Sequence, residues 1–186
     1  MNQQRRKIIL VTGPASSGKS EWAEQWATQQ ECPVSYVATA QPLPDDEEWM
    51  AKIQKHAQRR PPEWETLAIP VALGEVLGEV KPDRCLLVDS LGTWVANLLE
   101  QEETTWEKTV QDLLTQLQQG EGTVIFVAEE VGWGVVPAYP LGRKFRDRIG
   151  QITRQISTLA TEVYLVTGGY VLPLHHLGQP LSKGNV

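Results

Sequence analysis

The stretch VTGPASSGKS, residues 11–20, restricts the chain more than any other. Gly13, Gly18, Lys19 and Ser20 fit GxxxxGK[ST], the pattern of a loop that wraps polyphosphate. Such a loop works between an apolar strand and a helix, because its backbone N–H groups must converge where a helix begins and its dipole is positive. Both neighbours are legible: KIILVT precedes the loop, and a helix-forming stretch runs from Gly18 to about Gln29. The backbone of Pro14, Ala15, Ser16, Ser17 and Gly18 is expected to hold phosphate oxygens. Lys19 would neutralise the β and γ phosphates, and the Ser20 hydroxyl would hold Mg²⁺.

The rest of the chain supplies the sheet that such a loop needs. KIILVT, VSYVAT, RCLLVDS, TVIFVAEE and EVYLVTGG are apolar runs rich in β-branched residues, and a stretch able to form a helix separates each from the next. ETLAIP adds a short strand, with VALGEVLGEV as a weak helix behind it. This alternation predicts an α/β fold of the P-loop NTPase type, RecA-like, with a mostly parallel sheet and helices on both faces. With 186 residues the chain is long enough for one core, so it is read as a single nucleotide-binding domain over 1–186, its core about 7–170 and its tail 171–186. Trp22 and Trp26 stand four apart, which turns both toward the sheet. DDEEWMAKIQKHAQRRPP reads as a helix with acids in its first turn, bases in its last and two prolines to stop it.

Charge and cysteine usage remove other classes. A net charge of -6 does not suit a surface built for nucleic acid. Cys32 and Cys85 form no CxxC pair, so a disulfide framework or cysteine metal site is not expected. No run reaches the ~18 apolar residues of a membrane helix, and a cytoplasmic location is expected.

Two further positions carry chemistry. Asp89 ends an apolar strand on the ligand-bearing edge, where it either ligates Mg²⁺ beside Ser20 or caps the helix that begins near Leu91. By position it is also a candidate base. His56 sits among Lys52, Lys55, Arg59 and Arg60, a basic cluster in an acidic chain and a candidate anion site. His175 and His176, in a Gly- and Pro-rich tail, carry no functional expectation.

From Ile8 to about Gly169 the chain resembles the bifunctional adenosylcobinamide kinase / adenosylcobinamide-phosphate guanylyltransferase family. The resemblance is carried by ILVTGPASSGKSEWAE, by HAQRRPPEW around His56, by LLVDSLGTWVANLL, and by EVGWGVVP followed by RKFRDRIG. It implies that ATP or GTP phosphorylates the aminopropanol hydroxyl of adenosylcobinamide. GTP would then pass GMP through a histidine, matched by His56, to give adenosyl-GDP-cobinamide. It also implies nucleotide contacts at Ala38, Thr39 and Ala40 and at Ala57, Gln58, Arg59 and Arg60, an active-site loop containing Glu130, Gly132, Gly134 and Pro137, and a homotrimer. Lys19, His56 and Asp89 are the catalytic candidates.

Several positions depart from the family pattern. Pro14 and Ser16 replace a glycine and an arginine of the loop, Ala68 replaces a glutamate expected at the guanine, and Glu129 and Thr153 replace asparagines. A kinase lacking the guanylyl step, and a nucleotide-binding switch that transfers nothing, are the competing readings.

Overall fold

The computed structural model describes residues 6–181. Residues 1–5 and the last five residues of the expected tail lie outside the described residues. In chain order the elements are β1 (Lys7–Gly13), α1 (Lys19–Thr28), β2 (Val34–Ala38), α2 (Glu47–Arg59), β3 (Glu65–Ala68), α3 (Leu73–Gly78) and β4 (Cys85–Asp89). They continue with α4 (Leu91–Asn97), α5 (Glu103–Gln119), β5 (Thr123–Glu129), α6 (Pro140–Ser157), β6 (Glu162–Thr167), β7 (Tyr170–Pro173) and α7 (Leu174–Leu177). The strands form one sheet in the order β3-β2-β4-β5-β1-β6-β7, parallel except for β7.

Alternation along each strand divides the core in two. Ile8, Leu10, Val37, Leu86, Val88, Val124 and Phe126 face α3, α4, α5 and α6. Ile9, Val11, Tyr36, Leu87, Ile125 and Val127 face α1. Burial on both sides explains why these strands read as unbroken apolar runs. Trp106, Val110, Leu113 and Leu117 form the inward stripe of α5, and Ile149, Ile152 and Ile156 that of α6. Trp94, fully buried in α4, donates its indole N–H to the Val71 carbonyl at 2.9 Å.

The expected strand and helix sites are occupied, with two differences. Chain order continues past residue 170, where β7 pairs antiparallel with β6 and α7 follows. A turn through Gly168 and Gly169, both at positive φ, allows that reversal. His175 there accepts from the Val163 N–H at 3.2 Å and packs edge-on against Tyr164. In addition, the cap of α4 is Ser90 and not Asp89: the Ser90 hydroxyl and the Thr93 backbone and side chain close a capping box. Asp89 is thereby left for other partners.

Parallel pairing fixes the strand ends against one another. Ala38 lies opposite Asp89, Asp89 opposite Val127, and Gly13 opposite Glu129. The C-terminal ends of β2, β4, β5 and β1 therefore line a single sheet edge, where α/β proteins bind ligands.

Candidate active site

The loop between β1 and α1 is shaped by three residues. Ser16 and Gly18 adopt left-handed backbone with φ of 56° and 90°, turning successive N–H groups inward. Gly13 serves the sheet: a Cβ there would meet the Val166 carbonyl oxygen of β6 at 2.3 Å. Lys19, almost wholly buried, donates to the Pro14 carbonyl at 3.2 Å across the loop. The Ser17 hydroxyl is buried without a protein partner, which fits a loop whose donors await phosphate oxygens.

Asp89 is the hub. Its Oδ1 accepts from the Ser20 hydroxyl at 3.3 Å, its Oδ2 accepts from Tyr36 at 2.8 Å, and His56 Nδ1 stands 3.5 Å from Oδ2. Burial opposes ionisation of this carboxyl, but the hydrogen bonds from His56, Tyr36 and Ser20 outweigh it and hold it below the usual range. Tyr36 is pushed up by burial and by the Asp89 carboxylate, so it remains a donor. With its proton on Nδ1, His56 would donate to Asp89 and leave the lone pair on Nε2.

The basic cluster around His56 disperses in three dimensions. Lys52 pairs with Glu48 at 2.6 Å on the exposed side, and Lys55 is exposed. Arg59 bridges to α1, binding Glu21 and, at 3.1 Å, Glu24, while its Nη2 lies 3.3 Å from His56 Nδ1. Arg60 covers the Tyr36 ring at 3.6 Å. Lys52 and Arg59 thus meet acids and Arg60 an aromatic face, because a helix distributes neighbouring residues around its circumference.

His56 and Arg59 on α2, and Arg60 just past its end, are partly buried against the body, whereas Ala57 and Gln58 are exposed and are not brought to the site. Ala38 and Ala40 lie half-buried at the end of β2. Thr39 is fully buried: its hydroxyl donates to the Ser90 carbonyl at 2.8 Å, accepts from the Ser90 N–H at 2.9 Å and contacts Thr93. Its side chain fastens β2 to α4.

One carboxylate was not singled out as a functional residue from the sequence. Glu129 ends β5, between the strand of Asp89 and the strand of the loop. Its Oε2 accepts the Gly92 N–H at 2.8 Å. Burial pushes its carboxyl up, partly offset by a Ser90 hydrogen bond and the Lys19 charge and reinforced by Asp89. The signal was available in TVIFVAEE, an apolar run ending in an acid as RCLLVDS does. After Glu129 the chain stays beside the loop, because the Glu130 N–H bonds the Gly13 carbonyl at 2.9 Å. Gly132 N–H donates to Glu130 Oε1 at 2.6 Å, and Arg143 holds the carbonyls of Pro137 and Ala138 at 3.0 and 2.7 Å.

A glycine-bearing loop at a helix start, a lysine, a serine paired with a strand-end aspartate, and an imidazole on that aspartate define a P-loop α/β enzyme that transfers phosphorus-containing groups from a nucleotide. The chain belongs to the cobinamide kinase / cobinamide phosphate guanyltransferase family, whose model matches residues 9–174. It is 39% identical over 176 residues to a bifunctional adenosylcobalamin biosynthesis protein, CobP, of Pseudomonas aeruginosa, covering 92% of this chain and 98% of that one. It is 35% identical over 177 residues to the corresponding CobU of Escherichia coli, covering 87% and 96%. A solved structure from Pyrococcus horikoshii shares the fold at a TM-score of 0.55 and 9% identity, covering 97% of this chain and 93% of that one. The chain is accordingly a transferase of the cobalamin pathway. Among the described residues no helix is long and apolar enough to cross a membrane.

Proposed function

We propose that both reactions run at the one P-loop, and that the guanylyl step passes through a covalent GMP on His56. In the first step the hydroxyl of cobinamide attacks the γ-phosphorus of ATP or GTP. In the second, His56 Nε2 attacks the α-phosphorus of GTP, pyrophosphate leaves, and the phosphate of cobinamide phosphate displaces the imidazole to give the GDP-linked product. The observation that carries this reading is the chain of contacts from Ser20 to Asp89 to His56, at 3.3 and 3.5 Å, which joins the imidazole to the polyphosphate loop. Splitting one transfer into two in-line displacements is what a histidine nucleophile contributes.

The residues do the remaining work. Asp89 holds His56 by Nδ1 and so aims Nε2, and Lys19 neutralises charge that builds on the departing phosphate. Arg59 and Arg60 flank the imidazole from α2, though Arg59 must leave Glu21 or Glu24 to meet a phosphate. Ser20 and Asp89 offer hard oxygen atoms 3.3 Å apart at the loop, a donor set suited to Mg²⁺. When bound there, Mg²⁺ would withdraw charge from the phosphate oxygens. A homotrimer in the cytoplasm completes the proposal.

GTP labelled at the α-phosphate should leave an acid-labile, base-stable label on the wild-type protein and none on His56→Ala. An unlabelled wild-type protein would overturn the covalent step. Ala68 favours a second reading, since the exposed end of β3, opposite Ala38, carries only a methyl group where a guanine could be read. Kinase turnover without the adduct would select that kinase-only enzyme.

A further inference from the structure

Exposed apolar residues are unevenly spread over this protein. Among the described residues, five of the twelve large apolar side chains that are exposed, Trp133, Val135, Val136, Tyr139 and Leu141, stand within residues 133–141, in the connection from β5 to α6. Val135 is 94% exposed and Trp133 67%. A contiguous patch of this kind marks a place where something docks, whereas single exposed apolar residues need no explanation.

The segment is held out in water by specific contacts. It leaves the sheet at the phosphate loop, where the Glu130 N–H bonds the Gly13 carbonyl at 2.9 Å. The Gly132 N–H donates to Glu130, Arg146 donates to the Gly132 carbonyl, and Arg143 donates to the carbonyls of Pro137 and Ala138. Pro137 packs so closely on Gly142 that a Cβ on the glycine would meet the proline Cβ at 2.8 Å. Pro137 and Pro140 restrict the backbone further. Such a surface is formed before its ligand arrives, which lowers the ordering cost of binding.

Its position indicates the ligand. Helix α6 packs on one face of the sheet through Ile149, Ile152 and Ile156, and α1 on the other through Ala23 and Ala27. The segment therefore borders the phosphate loop from the α6 side, while α2, tied to α1 by Arg59, borders it from the other and exposes no large apolar side chain. A nucleotide brings polyphosphate, which the loop itself meets. The other substrate in the family's name, cobinamide, brings a corrin: a broad ring with methyl-bearing apolar faces and carboxamides around its edge. Arg143 and Arg146, each with five N–H donors, have some to spare for such carboxamide oxygens.

We infer that residues 133–141 are the docking surface for the corrin ring of cobinamide, with Trp133 as the flat anchor against one ring face, so that the aminopropanol arm extends to the phosphate loop. This rests on the reading that the arm is phosphorylated at that loop. Cobinamide and cobinamide phosphate carry the same ring, so the one surface serves both reactions.

The test uses full-length wild type, Trp133→Ala, Trp133→Phe, Val135→Asp and, as a control, Leu177→Ala, which alters a side chain as exposed as Trp133 but placed on α7. Equilibrium dialysis with dicyanocobinamide, its phosphorylation by ATP, and sedimentation velocity are measured. The Kd and KM for dicyanocobinamide should rise ~10–100-fold in Trp133→Ala and Val135→Asp. Trp133→Phe should recover part of the affinity, since an aromatic face remains. The KM for ATP, the sedimentation coefficient and every parameter of Leu177→Ala should stay at wild-type values. An unchanged Kd in Trp133→Ala and Val135→Asp would overturn the assignment. So would an equal loss of ATP affinity, which would make the segment a support of the phosphate loop. A fall in sedimentation coefficient alongside the lost affinity would also overturn it, making the segment a contact between copies of this chain. Wild-type protein that binds dicyanocobinamide through Trp133 and phosphorylates none of it would overturn instead the reading of the loop, and leave the docking surface in place.

Discussion

Replacing Arg59 with methionine should loosen α2 and slow guanylyl transfer while leaving phosphorylation nearly intact. None of the α2 residues is buried, so the helix is attached by polar contacts: His56 to Asp89, Arg59 to Glu21 and Glu24, and Arg60 over Tyr36. The Glu21 side chain is 51% exposed, and a pair of that kind contributes ~0.2–1 kcal/mol. Glu24 is only 12% exposed, and stranding it without its cation costs ~1–2 kcal/mol. The sum, ~1–3 kcal/mol, lowers the docked population of α2 about 5- to 150-fold relative to the undocked one. With His56 acting from this helix as proposed, adduct formation should slow by up to that factor. Kinase turnover, which in the proposed scheme needs Lys19, Ser20 and the sheet edge, should stay within about threefold. Amide exchange should accelerate over residues 47–59 and stay unchanged in β4 and β5. Unaltered protection of α2 in the variant, or equal slowing of both reactions, would refute the idea that this helix is held by its arginine.

Two other outcomes follow from the fold. Gly13→Ala forces a Cβ to 2.3 Å from the Val166 carbonyl, and the strands must part to admit it. Urea denaturation should show a loss of ~1–3 kcal/mol, and a variant as stable as wild type would show that β6 yields freely. Glu162 is partly buried, which disfavours its charge, but Lys7 at 2.9 Å and the Tyr164 hydroxyl prevail and hold its carboxyl below the usual range. Its native pKa is depressed, so its contribution is full above the unfolded value of ~4.3 and disappears as pH falls through the native value. Glu162→Gln should therefore be destabilised by at most ~1 kcal/mol at pH 7 and match wild type near pH 3, as read by denaturant titrations. A difference independent of pH would assign the effect to packing.

What the sequence discloses here depends on the range of the interaction involved. The loop, its strand and its helix are contiguous, so local chemistry specifies them, and the buried strands advertise themselves by unbroken apolar runs. Strand β7 is harder to read: Tyr170–Pro173 is a short edge strand, alternately exposed, between glycines and the histidines of α7. The partners of the basic residues around His56 are harder to read for another reason, since the two acids that meet Arg59 come from α1 and the ring beneath Arg60 from β2. Glu129 can be located as a strand end from the sequence, but its neighbours Gly92 and Ser90 lie some forty residues away, and only the folded register unites them.

In the proposed scheme the strand order separates the two chemistries. On the proposed reading His56 would meet the nucleotide from the β2 flank, Lys19 and the phosphate loop follow β1, and Asp89 at the end of β4 lies between them. Changes confined to α2 or to the end of β3 would abolish one reaction without disturbing the other. A descendant specialised for a single step would need no rearrangement of the sheet, so loss of guanylylation is a short evolutionary path for this architecture.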